Sequence, residues 1–105
     1  MPIRLSGIII MQINYTVDAL ASLIQLVNFI ESKNTPGAGL RWLGRYEAFL
    51  QKQLYNSNHS RPCNNQTFRK LNLYCINYND WLIAFSLQAN AVLIEALLHK
   101  SRITD

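Results

Sequence analysis

Charge is scarce in this chain. Asp, Glu, Lys and Arg make up 15% of its 105 residues, while half are apolar. A free-standing soluble monomer usually carries slightly more charge, so the shortage points to an apolar surface that needs a partner. Histidine occurs twice, at His59 and His99, and cysteine twice, at Cys63 and Cys75. Neither cysteine has CxxC spacing or a neighbouring pair of histidines, which argues against a metal site. Two cysteines without a secretory signal fit free thiols in a reducing compartment, so a cytoplasmic location is expected. No apolar run reaches membrane-spanning length. Ile8-Ile9-Ile10-Met11 is too short for a span or for the apolar core of a signal peptide. There is no internal repeat and no low-complexity tract, and neither a cofactor nor a metal is expected. The length fits one domain, residues 1–105. Either Met1 or Met11 is the start, and the second would make residues 1–10 an N-terminal extension.

The charge that is present is unbalanced. Ten Lys and Arg face six Asp and Glu, for a net charge of +4 and a pI near 9.3. This favours anionic partners, either nucleic acid or an acidic protein. The excess is modest, and many small domains carry as much without such a role.

The stretch Trp81–Arg102, WLIAFSLQANAVLIEALLHKSR, organises the chain. Two apolar runs, Trp81–Leu87 and Val92–Leu98, are joined by Gln88-Ala89-Asn90-Ala91. Runs of strand length with a short polar link predict a β-hairpin. Their near-continuous apolarity predicts central, covered strands. Ala, Leu and Glu would also suit a helix over Val92–Lys100. That segment is apolar at almost every position, however, and has no helical stripe, which favours the strand. The chemistry then changes abruptly to His99-Lys100-Ser101-Arg102. A cationic cluster after a buried strand is a candidate site, and a solvated tail accounts for it equally well.

Before this hairpin, Ile8–Tyr15 is rich in β-branched residues and predicts a strand. Thr16 suits an N-cap. Val17, Leu20, Leu23, Ile24, Val27 and Ile30 then repeat at helical spacing to about Ser32. Asn34-Thr35-Pro36-Gly37 breaks the pattern, and Ala38–Tyr55 predicts a second helix, antiparallel to the first. Arg41, Arg45 and Lys52 share one face of it. That face is either a phosphate-binding surface or an ordinary solvated one. Asn56–Gln66 is a polar loop around Pro62, with His59 solvated in it. Phe68–Tyr78 predicts one long or bulged strand beginning with Arg69-Lys70, and Asn77–Asp80 holds the turn into Trp81. The expected fold is therefore α+β, in the order βααβββ: a four-stranded antiparallel sheet with a two-helix hairpin packed on one face. Trp81, Ile83, Phe85, Ile94 and Leu20 should be buried, and the other sheet face should be open.

This order, the basic pair Arg69-Lys70 and the terminal His-x-x-Arg of His99 and Arg102 resemble the RelE/ParE superfamily of bacterial type II toxins. The likeness covers roughly Met11 to Arg102. It implies a cytoplasmic toxin neutralised by a cognate antitoxin encoded beside it. One branch of that superfamily cleaves mRNA on the ribosome, and another acts on DNA gyrase. In the ribonuclease branch, Arg and Lys on the sheet hold the scissile phosphate and a His, Tyr or Lys moves the proton. Cleavage by the RNA's own 2′-OH needs a base, an acid and cationic stabilisation. If the chain is a ribonuclease, the resemblance makes His99, Arg102, Arg69 and Lys70 the catalytic candidates; Arg41, Arg45 and Lys52, from their shared helix face, and Lys100 are candidate binding residues. Neighbours on a strand face opposite ways, so only one of Arg69 and Lys70 would reach a groove. One departure stands out: ribonuclease members carry an Arg where the penultimate strand opens, and this chain has Asp80-Trp81-Leu82. That favours contact with a protein target over RNA cleavage, with an inactive toxin-like binding module as a further alternative. Without its partner, the chain is expected to form a homodimer through the same apolar surface. His99, Arg102 and one of Arg69 and Lys70 are expected to converge on the open face.

Overall fold

A computed structural model describes residues 3–5, 8–10, 12–55, 61–88 and 91–102. The chain is α+β, with a five-stranded mixed sheet and two long helices against it. The main elements are β3 (Gln12–Tyr15), α1 (Val17–Lys33), α2 (Ala38–Tyr55), β4 (Arg61–Pro62), α3 (Gln66–Lys70), β5 (Tyr74–Tyr78), β6 (Trp81–Leu87) and β7 (Ala91–His99). A short 3-10 turn, Lys100–Arg102, follows. Upstream, β1 (Ile3–Leu5) and β2 (Ile8–Ile10) pair antiparallel in a separate two-stranded sheet. The stretch expected as a single strand, Ile8–Tyr15, is thus divided between two sheets.

The main sheet runs β3-β7-β6-β5-β4. Its meander is antiparallel, but β3 lies parallel to β7, with Gln12 opposite Ala91 and Tyr15 opposite Ile94. The sheet is mixed, not purely antiparallel as expected. β7 carries the longest apolar run, so it needs a neighbour on both edges, and the first strand supplies the second one. The turn into β6 is as expected: Tyr78 pairs with Trp81 around Asn79, which adopts a positive φ of 54°.

β7 also explains why its sequence shows no alternation. Ala84 pairs with Ala96, but Phe85 pairs with Ile94, so Glu95 is an extra residue in a β-bulge. Val92 and Ile94 face the helices before the bulge, and Leu97 faces them after it; all three are buried. The bulge switches the parity of the inward face, and both sets of positions must then be apolar.

Both helices begin and end close to the expected positions. The Thr16 hydroxyl accepts a hydrogen bond from the Ala19 N–H at 3.1 Å, the N-cap anticipated from sequence. The rotation of α1 differs from expectation. Ala19, Leu23 and Leu26 are buried, whereas Leu20 is 44%, Ile24 51% and Val17 84% exposed. Thr16 donates its own N–H to Ile94 O at 3.0 Å, which fixes how the helix leaves the sheet. From that start, the face carrying the small Ala19 meets the strands. Ile83, Phe85 and Ile94 are fully buried as expected. Trp81 is only half-buried, because it stands at the end of the sheet.

The expected strand over Phe68–Tyr78 is overturned. Its first part is the helix α3, capped by Asn65, whose side-chain oxygen accepts from the Phe68 N–H at 3.2 Å. Asn72 then takes a positive φ of 59°, a value Asn tolerates and strands do not allow. Only Tyr74–Tyr78 is extended. The expected free thiols are overturned as well: Cys63 and Cys75 form a disulfide across the β4–β5 edge. The two-residue β4, missed in sequence, brings them together by pairing Arg61 with Cys75.

Candidate functional site

The two faces of the sheet have different chemistry. Ile83, Phe85, Val92, Ile94 and Leu97 join Tyr46, Leu50 and Leu54 in the core under the helices. The opposite face carries Leu82 against Leu98, Ala84 against Ala96 and Ser86 against Leu93, with Asn14 beside Leu93. Leu82, Leu93 and Leu98 are half-buried. The disulfide covers one end of this face, with Phe68 of α3 and Leu73 packed around it. Strands β3, β5, β6 and β7 contain no Lys or Arg.

His99 lies on the helix side, not on the open face. It stands opposite Trp81, and the two rings meet edge-on with centroids 5.3 Å apart. Its Nδ1 accepts the backbone N–H of Ser101 at 3.2 Å and lies 2.9 Å from the Ser101 hydroxyl. A neutral ring held in this way carries its hydrogen on Nε2, which is then its donor. Lys100 donates its backbone N–H to Asp80 O at 2.8 Å, closing the strand end, while its side chain is exposed. Arg102 ends the 3-10 turn, and its side chain lies outside the described residues.

Beside His99 is a cavity of about 560 Å³ between α1 and the end of β6–β7. Leu26, Phe29, Trp81 and Leu97 form its apolar walls, and Ser22 and Gln25 supply polar groups. Phe29 is 59% exposed at the rim. The size is within the usual range for small-ligand pockets. Sequence reading missed this cavity. Phe29 falls outside the expected apolar stripe of α1, and an aromatic off the stripe was the available signal.

Arg69 and Lys70 do not gather at His99. Arg69 and Lys70 are exposed on α3, not on a strand. Phe68 anchors that helix on the face opposite His99, near Cys75, at the other end of β5 from Tyr78. The expected convergence with His99 therefore does not occur. Arg41, Arg45 and Lys52 share the exposed face of α2, as their spacing implies. Arg41 and Arg45 line a second cleft, of about 750 Å³, with Lys33, Trp42 and Thr35 between the two helices. Arg41 is already engaged there, donating from Nη2 to the Thr35 hydroxyl at 2.9 Å and from Nη1 to Pro36 O at 3.2 Å. Lys33 places its ammonium 5.8 Å from the centre of the Phe29 ring. His59 lies outside the described residues.

Among the described residues, no group of three His, Cys, Asp or Glu could hold a metal ion, and no helix is long and apolar enough to cross a membrane. No protein-family model matches the chain, and a search of curated proteins finds no match to it.

Proposed function

We propose that the protein is a toxin of the RelE/ParE kind that acts by contact with a protein target, DNA gyrase being the first candidate. A cognate antitoxin, encoded beside it, holds it inactive in the cytoplasm. The observation that carries this reading is the open sheet face. It offers Leu82, Leu93 and Leu98 half-exposed, and its long strands have no Lys or Arg to grip a phosphate. Apolar side chains of this kind bind protein. RNA cleavage needs cationic stabilisation at the scissile phosphate, which these strands do not offer. The succession of β3, α1, α2, β5, β6 and β7 agrees with the order on which the resemblance rests, with β4 and α3 added between α2 and β5.

The second reading is a ribosome-dependent mRNA endonuclease, favoured by His99 beside Ser101 at a cavity mouth. Induced expression of the wild type, Leu93→Lys and His99→Ala, with mRNA cleavage mapped in parallel, separates the two. The protein-contact reading expects growth arrest that Leu93→Lys abolishes, that His99→Ala keeps, and that leaves mRNA intact. Cuts at codon positions that fall roughly 10²–10⁴-fold in His99→Ala would establish the endonuclease instead. No growth arrest by the wild type in a host that lacks the neighbouring gene would leave a binding module without toxicity.

A further inference from the structure

We propose that the Cys63–Cys75 disulfide is a thiol-reducible clasp that holds α3, with Arg69 and Lys70, against the open sheet face. The inference stands apart from the functional reading, since it needs only the residues around the bond.

The segment it tethers has little regular backbone pairing with the sheet. β4 is two residues long, and one of them is Pro62, which has no N–H to give. Beyond the β4–β5 pairing, Cys63 donates its N–H to Leu73 O at 3.1 Å. α3 has five residues, none of them fully buried. A helix that short does not persist without tertiary support. Its support is a small cluster built on the cysteines themselves: Cys63 and Cys75 with Phe68, Leu73, Ala84 and Ala96. This cluster is separate from the main core under α1 and α2, so the clasp can open while that core stays closed.

The two cysteines differ in exposure. Cys63 is fully buried, and Cys75 is half-buried on the sheet. A thiolate from a small thiol such as glutathione attacks Sγ of Cys75. The S–S bond breaks, and its electron pair goes to Sγ of Cys63, which takes a proton. A second thiol attacks the mixed disulfide, releasing the Cys75 thiol and glutathione disulfide. One protein disulfide is reduced and two glutathione molecules are oxidised. Opening frees α3, uncovers Ala84 and Ala96, and leaves the outer edge of β5 unpaired.

The test equilibrates the oxidised chain with a large excess of reduced over oxidised glutathione. Free thiols are tagged with a maleimide and counted by mass, and backbone hydrogen exchange is followed by residue. Two tags per chain are expected. Amides of residues 63 and 66–75 should exchange about tenfold faster or more, with Ile83, Phe85 and Ile94 still protected. The double variant Cys63→Ser/Cys75→Ser should show the same pattern without glutathione. An untagged native chain overturns the proposal, as do tags with unchanged exchange over 63–75. Loss of protection throughout, in the reduced chain or the double variant, also overturns it and makes the bond a staple of the whole fold.

Discussion

The phenolic hydroxyl of Tyr15 donates to that of Tyr46 at 3.0 Å, linking β3 to α2 within the core. Tyr46 is fully buried, stacked on Trp42 at 5.2 Å and edge-on to Tyr78 at 5.9 Å. Burial pushes the Tyr46 phenol far above its ordinary value, and the nearby Tyr15 adds to this. Burial raises Tyr15 as well, while its bond to Tyr46 acts in the opposite sense. The folded state therefore holds these protons more tightly than the unfolded chain. Their stabilisation is complete below about pH 10, the ordinary tyrosine value, and declines as pH rises beyond it. Tyr46→Phe should cost about 0.5–1.5 kcal/mol at neutral pH and flatten the alkaline loss of stability. Urea unfolding at a series of pH values measures both effects.

Two glycines of α2 should respond to alanine with opposite signs. At Gly39 an added Cβ would meet the Val27 carbonyl oxygen at 2.6 Å, so α1 and α2 would have to separate. Gly39→Ala should lose roughly 1–3 kcal/mol, as overpacking usually does. At Gly44 nothing lies within 4 Å of such an atom. Gly44→Ala should gain about 0.5–1 kcal/mol from helix propensity. Denaturant midpoints of the two variants provide the comparison.

The Glu31 carboxylate closes the start of α2 by accepting the N–H of Gly39 at 2.9 Å and of Gly37 at 2.8 Å. Those two bonds, the Gly39 bond foremost, hold its pKa below the ordinary value, and Arg41 adds to the effect. The stabilisation is present above the unfolded value, near pH 4, and is lost as pH falls through the lower folded one. Glu31→Gln should flatten the fall of thermal stability below about pH 4, read by melting temperature against pH.

Thr16 serves α1 and the bulge together. Its hydroxyl caps Ala19 and approaches Glu95 O at 3.4 Å. Thr16→Ala should cost about 1–2 kcal/mol, and Thr16→Ser, which keeps the oxygen, much less. Equilibrium unfolding distinguishes the two.

Local signals determined much of this fold. Thr16 before an apolar period, the break at Pro36-Gly37, and the two runs around Gln88 lead to α1, α2, β6 and β7 from sequence alone, because caps, breaks and periods act within a few residues. Arg41, Arg45 and Lys52 were legible as one exposed face for the same reason. Tertiary structure decided the rest. The side of α1 that is buried follows from Thr16 being tied to Ile94, a residue far along the chain. The bulge at Glu95 is invisible in an unbroken apolar run, because either parity of such a run can face the core. α3 took residues with the composition of a strand, because Asn65 and Asn72 bound it at both ends. The cysteines read as free thiols until the edge pairing of Arg61 with Cys75 brought them together. His99 after a buried strand, with Arg69-Lys70 read on a strand of the same sheet, suggested one cluster. The sheet separates them: alternation along β7 puts His99 on the helix side, and Phe68 packs α3 with Arg69 and Lys70 on the other face.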